Sequence, residues 1–206
     1  MKYDFKTEPF DHQKDVLKES WAESHYALFM EMGTGKSKVV VDNMAVLHET
    51  GEINAALIIA PKGVFDNWVM QEIPTHMPDR ITVQLLRWQP NLTKTFEEKL
   101  TTLVLEPFNG LKILVMNVEG LSTSKALKAA TLFLTKNPNN MVVVDESTTI
   151  KNRKAKRTAN IIGLRNHSKY RRILTGSPIT KSPMDLFAQC EFLKPKCLGF
   201  GSYYAY

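Results

Sequence analysis

Cysteine is nearly absent from this chain. Cys190 and Cys197 are the only two among 206 residues, which excludes a disulfide scaffold and a cysteine zinc site. Long apolar runs are missing too. Stretches such as 55–61 and 141–144 fall far short of the ~18 residues a membrane-crossing helix needs. The opening MKYDFKTEPFDHQ is charged throughout and has no apolar leader core, so the expectation is a cytoplasmic protein without a membrane partner. The five histidines, His12, His25, His48, His76 and His167, show no ligand spacing. Acid is missing from one long stretch. Between Lys151 and Lys181 there is no Asp or Glu, yet ten of the 27 bases fall there, leaving 17 bases against 21 acids elsewhere. One segment thus supplies the whole positive excess behind the formal charge of +6. It reads either as a solvated helix face or as an edge that meets a polyanion.

What is present is the composition of an ordinary folded domain, with 43% hydrophobic and 23% charged residues. Apolar runs alternate with amphipathic stretches. Strands are expected over 27–30, 56–60, 81–86, 112–116, 141–145 and 171–175, and helices over 11–21, 36–48, 64–73, 94–105, 123–134, 154–164 and 183–193. Continuous runs such as ALIIA, KILVM and MVVVD suit strands buried on both faces. The expected fold class is therefore α/β, a mostly parallel sheet with helices on both faces, in a single unit over 1–206. In such sheets ligands bind beyond the carboxyl ends of the strands. Trp21, Trp68 and Trp88 are expected to serve packing.

Two segments carry chemistry. Met30-Glu31-Met32-Gly33-Thr34-Gly35-Lys36-Ser37 follows a strand and opens an apolar helix, which is the context of a phosphate-binding P-loop. The amides of Met32, Gly33, Thr34 and Gly35 would converge on phosphate oxygens, with the helix N-terminus behind them. Lys36 would meet the β- and γ-phosphates, and Ser37 suits a magnesium ligand. The usual pattern has glycine where this chain has Met30. The second segment, Met141–Glu146, is an apolar strand tipped by two carboxylates. Asp145 would hold magnesium through a water and Glu146 would polarise an attacking water. The pair favours hydrolysis of nucleotide over phosphorylation of a small molecule.

With these segments in hand, the chain resembles the first RecA-like lobe of superfamily 2 helicases, specifically the Swi/Snf-type double-stranded DNA translocases. Phe10-Asp11-His12-Gln13 is similar to the family's glutamine motif, and the stretch from Ala27 to Ser37 to its motif I. Leu57–Lys62 with Trp68 and Glu72 resembles motif Ia, and Met116–Leu121 motif Ib. Asp145-Glu146-Ser147-Thr148 stands at motif II, followed by Lys151-Asn152, and Leu174–Ile179 is similar to motif III. The likeness runs from about Phe10 to Tyr206. The compact form is closer to phage or bacterial members, which would put a phage-encoded copy in its host's cytoplasm.

The resemblance implies ATP and Mg2+, with Gln13 reading the adenine edge. It implies duplex DNA as partner, met through backbone contacts from Lys62, Asn117, Lys151 and Asn152. It also implies a second RecA-like lobe, in cis or in trans, whose arginine fingers would add ~10³–10⁵ in rate. The chain alone is then a poor hydrolase. Relatives carry Ala-His where this chain has Ser147-Thr148, and that histidine helps couple motif II to motif III. Here Thr148 would reach Thr175 or Ser177, with Gly176 between them, to serve the same coupling. A P-loop nucleotide kinase and a non-catalytic nucleotide- or DNA-binding module remain the alternatives.

Overall fold

The computed structural model describes residues 3–91, 93–201 and 203–206. Its centre is a six-stranded sheet built from β1 (His25–Phe29), β2 (Ala55–Ala60), β3 (Val83–Arg87), β4 (Leu111–Asn117), β5 (Asn140–Val144) and β6 (Tyr170–Thr175). The strand order is β1-β6-β5-β2-β4-β3 and every pairing is parallel. The helices are α1 (Asp11–Ser20), α2 (Lys36–Glu49), α3 (Phe65–Asn67), α4 (Ile73–His76), α5 (Lys94–Leu105), α6 (Ser124–Lys136), α7 (Lys156–Leu164) and α8 (Asp185–Leu193). None of them, among the described residues, is long and apolar enough to cross a membrane.

The continuous apolar strands behave as their composition requires. Because side chains alternate across a strand, β2 sends Ala56, Ile58 and Ala60 into a core with Val40, Met44 and Leu47 of α2. It sends Ala55, Leu57 and Ile59 into the other core, with Phe133 of α6, Ile161 of α7 and Phe192 of α8. Two apolar layers thus clamp the sheet, and burying each of the larger side chains (Val, Leu, Ile, Met, Phe) contributes ~1.5–3 kcal/mol. All strands point the same way, so the loops after β1, β2, β4, β5 and β6 gather along one edge. Ala60 pairs with Asn117 and Phe29 with Thr175 at that edge.

Some element boundaries differ from expectation. The helix expected over 64–73 is instead α3, a π-helical turn over Trp68–Glu72, and α4. Pro74 lies in the first turn of α4 and has no N–H to give, which favours a widened turn before it. β1 begins two residues earlier than the apolar pattern indicates, because His25 and Tyr26 pair with Arg171 and Arg172 on β6.

The basic segment does not form one charged edge, which corrects the reading of it as a single polyanion-binding strip. Lys169 pairs with Glu52 at 2.9 Å and Arg165 with Glu191 at 3.1 Å, both near the start of β6 and away from the loop edge. Arg172 is wholly buried. Its guanidinium donates to Asn43 Oδ1 at 3.0 Å and to the Ser20 and Arg171 carbonyls at 2.9 Å each. Burial lowers its pKa to about 10, so the group remains charged at neutral pH while tying β6 to α2 and to the end of α1. Only the planar fork reaches three acceptors at once. Arg172→Met and Arg172→Lys are both expected to lower the urea midpoint with little change in slope, the Met variant losing about 3 kcal/mol of stability through orphaned acceptors. A Lys variant as stable as wild type would show that the fork is not needed.

Candidate functional site

The loop between β1 and α2 is shaped by two glycines in the left-handed region, Gly33 (φ 78°) and Gly35 (φ 81°), the latter capping α2. A side chain at Gly35 would be strained there and would also clash with the Gln13 amide. Lys36 turns its ammonium back into the loop and donates to the Met30 and Glu31 carbonyls, both at 2.9 Å. Thr34 closes the turn through its hydroxyl to the Glu31 carbonyl at 2.7 Å. Ser37 starts the helix beside Lys36 and lines the adjoining cleft with it.

Gln13 is at this loop, though its amide is already engaged. Its Nε2 donates to the Thr34 carbonyl at 2.9 Å, and its Oε1 accepts from the Phe10 amide at 3.0 Å. An adenine edge would have to compete with both bonds. His12 grips the same Thr34 carbonyl through Nε2 at 3.0 Å. Sequence reasoning missed that role, although the adjacency of His12 to Gln13 was a signal for it.

Opposite the loop, β5 ends in the acidic pair. Asp145 is 8% exposed, and both its oxygens have donors. Trp68 Nε1 donates to Oδ2 and the Glu146 amide to Oδ1, each at 2.9 Å. Burial raises the Asp145 pKa above the ordinary aspartate value, opposed by those two donors and the Lys36 charge. Trp68, expected to serve packing, is buried yet also supplies a donor to this carboxylate. Glu146 takes a left-handed backbone conformation, φ 45°, which a non-glycine residue adopts only when its surroundings hold it there.

Gly33, Lys36 and Ser37 on one wall face Asn67, Trp68 and Glu72 on the other, with Asp145 and Glu146 between them, around a cleft of about 340 Å³. Glu72 was noted in the sequence only as part of a motif. Here it is the third carboxylate of the cleft, accepting from Asn67 Nδ2 at 3.2 Å. Burial first, and then the Asp145 charge, raise its pKa. No group of three His, Cys, Asp or Glu side chains among the described residues could hold a metal unaided. The donor set instead fits magnesium, an ion that keeps several waters and takes one or two protein ligands plus phosphate oxygens.

The loop after β6 completes the edge. Thr175 Oγ1 donates to Glu146 Oε2 at 3.5 Å and accepts from the Ser177 amide at 3.2 Å. Gly176 leaves room for the P-loop, since a methyl there would come within 3.2 Å of Met32 N. The contact expected from Thr148 is not made. Among the described residues its hydroxyl has no hydrogen bond to Thr175 or Ser177, and Glu146 itself makes the link. Lys62 and Asn152 are exposed, and Asn117 is half-buried with its Nδ2 3.4 Å from Glu119 Oε2. All three stand on the loop edge. Lys151 is there too, but its ammonium is held by Thr180 Oγ1 and lies 3.7 Å from Asp185.

The fold and this edge define a RecA-like P-loop domain. The ATP-dependent helicase FUN30 of Saccharomyces cerevisiae is 26% identical over 166 residues, 80% of this chain and 14% of that protein. The chromatin-remodeling ATPase INO80 of Aspergillus terreus is 28% identical over 178 residues, 80% of this chain and 9% of that protein. Among solved structures, the SWI2/SNF2 ATPase core of Sulfolobus solfataricus in complex with dsDNA superposes with a TM-score of 0.74 at 22% identity, covering 98% of this chain and 39% of that one. The model of the SNF2-related domain matches residues 12–204, and the chain belongs to that family. It spans less than a sixth of the length of these curated relatives. None of them is a phage protein, and the phage expectation finds no support.

The raised pKa of Glu72 makes a signed prediction. In the window between its ordinary and its folded value, the folded state binds the extra proton. The carboxylate is therefore a liability at pH 7 that shrinks as the pH falls through the folded value and is gone below the ordinary one. Glu72→Gln should be more stable than wild type at pH 7. That advantage should shrink toward pH 4 in urea titrations. An advantage independent of pH would remove the electrostatic cause.

Proposed function

We propose that this chain is one RecA-like lobe, residues 1–206, of an ATP-hydrolysing motor that moves along duplex DNA and works with a second such lobe in cis or in trans. The observation that carries the reading is the shared cleft, in which Lys36 and Ser37 face Asp145 and Glu146 across a space lined by Trp68 and Glu72. The dsDNA complex of the Sulfolobus relative, and the share of that core this chain covers, support the partner and the second lobe.

In this reading the backbone from Met32 to Gly35 cradles the phosphates. Lys36 leaves the Met30 and Glu31 carbonyls to meet the β- and γ-phosphates. Ser37 and Asp145 would hold Mg2+, which would supply charge neutralisation on the phosphate oxygens. Asp145, buried and fixed by Trp68, keeps one orientation. Glu146 orients the attacking water and accepts its proton as the water oxygen bonds the γ-phosphorus and the bond to the β-phosphate oxygen breaks, with ADP as leaving group. Gln13 reads adenine by exchanging its bond to Thr34 for one to the base. Thr175, Gly176 and Ser177 report the state of Glu146 to the rest of the edge, where Lys62, Asn117 and Asn152 meet DNA phosphates without regard to sequence. Lys151 joins them once released from Thr180 and Asp185.

The test uses the polypeptide with its second lobe, joined or added. Wild type should hydrolyse ATP faster with duplex DNA. Lys36→Ala should lose nucleotide binding, while Glu146→Gln should keep it and lose hydrolysis by about 100-fold or more. No stimulation by any nucleic acid would defeat the motor reading. Phosphate appearing on an acceptor other than water would replace it with a kinase, and DNA binding without turnover with a binding module. Lys62→Ala is expected to weaken DNA binding equally across sequences and lower the salt slope by about one. A sequence-dependent loss would contradict backbone tracking.

A further inference from the structure

Ser147 and Gln189 are both wholly buried and bonded to each other. Ser147 Oγ donates to Gln189 Oε1 at 2.6 Å. Gln189 lies in α8, 42 residues downstream. Its Nε2 donates to the Pro178 carbonyl at 2.8 Å and to the Asp185 carbonyl at 2.7 Å. Ser147 follows Glu146 in the chain, and Pro178 follows Ser177. The Ser177 amide bonds Thr175, and Thr175 bonds Glu146. The contacts therefore close into a ring running Glu146, Ser147, Gln189, Pro178, Ser177, Thr175 and back to Glu146.

A ring of this kind constrains its strained member. Glu146 sits at φ 45°, a conformation that persists only when neighbours over-determine it. Within the ring its backbone is gripped through Ser147 and its carboxylate through Thr175. The weakest link is the last, at 3.5 Å. Gln189 supplies the opposite side of the ring with two short bonds. A leucine at this position would fill similar space but could neither accept from Ser147 nor hold the Pro178 carbonyl. Among the described residues, the Thr148 hydroxyl makes no such bridge.

We propose that Gln189 is a positioning residue that joins the acidic loop to the loop after β6, through Ser147 on one side and Pro178 on the other. It links the two loops by side-chain bonds that Thr148, the next residue after Ser147, does not make. The inference rests on the proposed hydrolytic role of Glu146, and it also makes a claim about the chain alone.

The test pairs Gln189→Leu with Ser147→Ala/Gln189→Leu. The double variant removes both polar partners, so no buried group is left unsatisfied between those two side chains. In the two-lobe polypeptide the double variant should bind nucleotide within twofold of wild type and keep KM for ATP. Its DNA-stimulated kcat should fall at least tenfold. In this chain alone, amide exchange at Glu146 and Ser177 should rise at least tenfold, while β5 and β6 core amides change less than twofold. Gln189→Glu, which can still accept from Ser147 but cannot donate to Pro178, should free Ser177 more than Glu146. Unchanged exchange at both sites, or exchange rising equally through β5 and β6, would reduce Gln189 to a packing residue and overturn the proposal. A wild-type protein without DNA-stimulated hydrolysis would defeat the proposed function instead, and the exchange arm would still decide the role of Gln189.

Discussion

A carboxylate buried at a strand tip needs donors, and Asp145 is the group whose needs organise this site. Taking it out of water raises its pKa, and a lone charge there would be costly. Trp68 and the Glu146 amide each give it a bond. The first fixes the helical segment after β2 against β5. The second sets the turn that throws Glu146 into the left-handed region. The cleft wall, the orientation of the second carboxylate and the approach of Glu72 all follow from satisfying this one side chain.

Charge is handled differently at the two ends of the sheet. Near the start of β6, Lys169 and Arg165 are neutralised by Glu52 and Glu191, and Arg172 is absorbed into the interior by carbonyls and an amide. At the loop edge Lys36 has only carbonyl partners and Lys62 is exposed. Within the stretch of ten bases, Arg165, Lys169 and Arg172 thus become structural cement, while Lys154 and Lys156 after β5 stay exposed. The acid-free stretch in the sequence marked the right segment but overstated the size of its free face.

The polar network from Ser147 to Pro178 addresses the same problem as Asp145. Buried polar atoms either find partners or destabilise the fold. Gln189 sits on a helix otherwise turned to the core with Phe192 and Leu193, so its amide is a deliberate exception. Its partners lie in the acidic loop, at Ser147, and in the loop after β6, at Pro178.

Much of the fold was legible in the sequence because it rests on local and periodic signals. Unbroken β-branched runs announced a parallel sheet covered on both faces, and the Gly33–Ser37 turn between strand and helix announced the P-loop. The acidic pair was legible for the same reason, as an apolar run with charge at its tip. Contacts between residues far apart in the chain were not legible. Trp68 read as packing until the fold set its indole against Asp145, 77 residues away. Glu72 became a cleft carboxylate, Lys151 turned to Thr180, and the bond to Thr175 sought at Thr148 is made by Glu146. The sequence determined most of the elements and marked the glycine-rich loop and the acidic pair that line the cleft, since propensity, periodicity and turn geometry act over a few neighbours. Only the tertiary structure decided which of those residues face one another, because hydrogen-bond partners and burial are set by the packing of elements that the chain itself does not order.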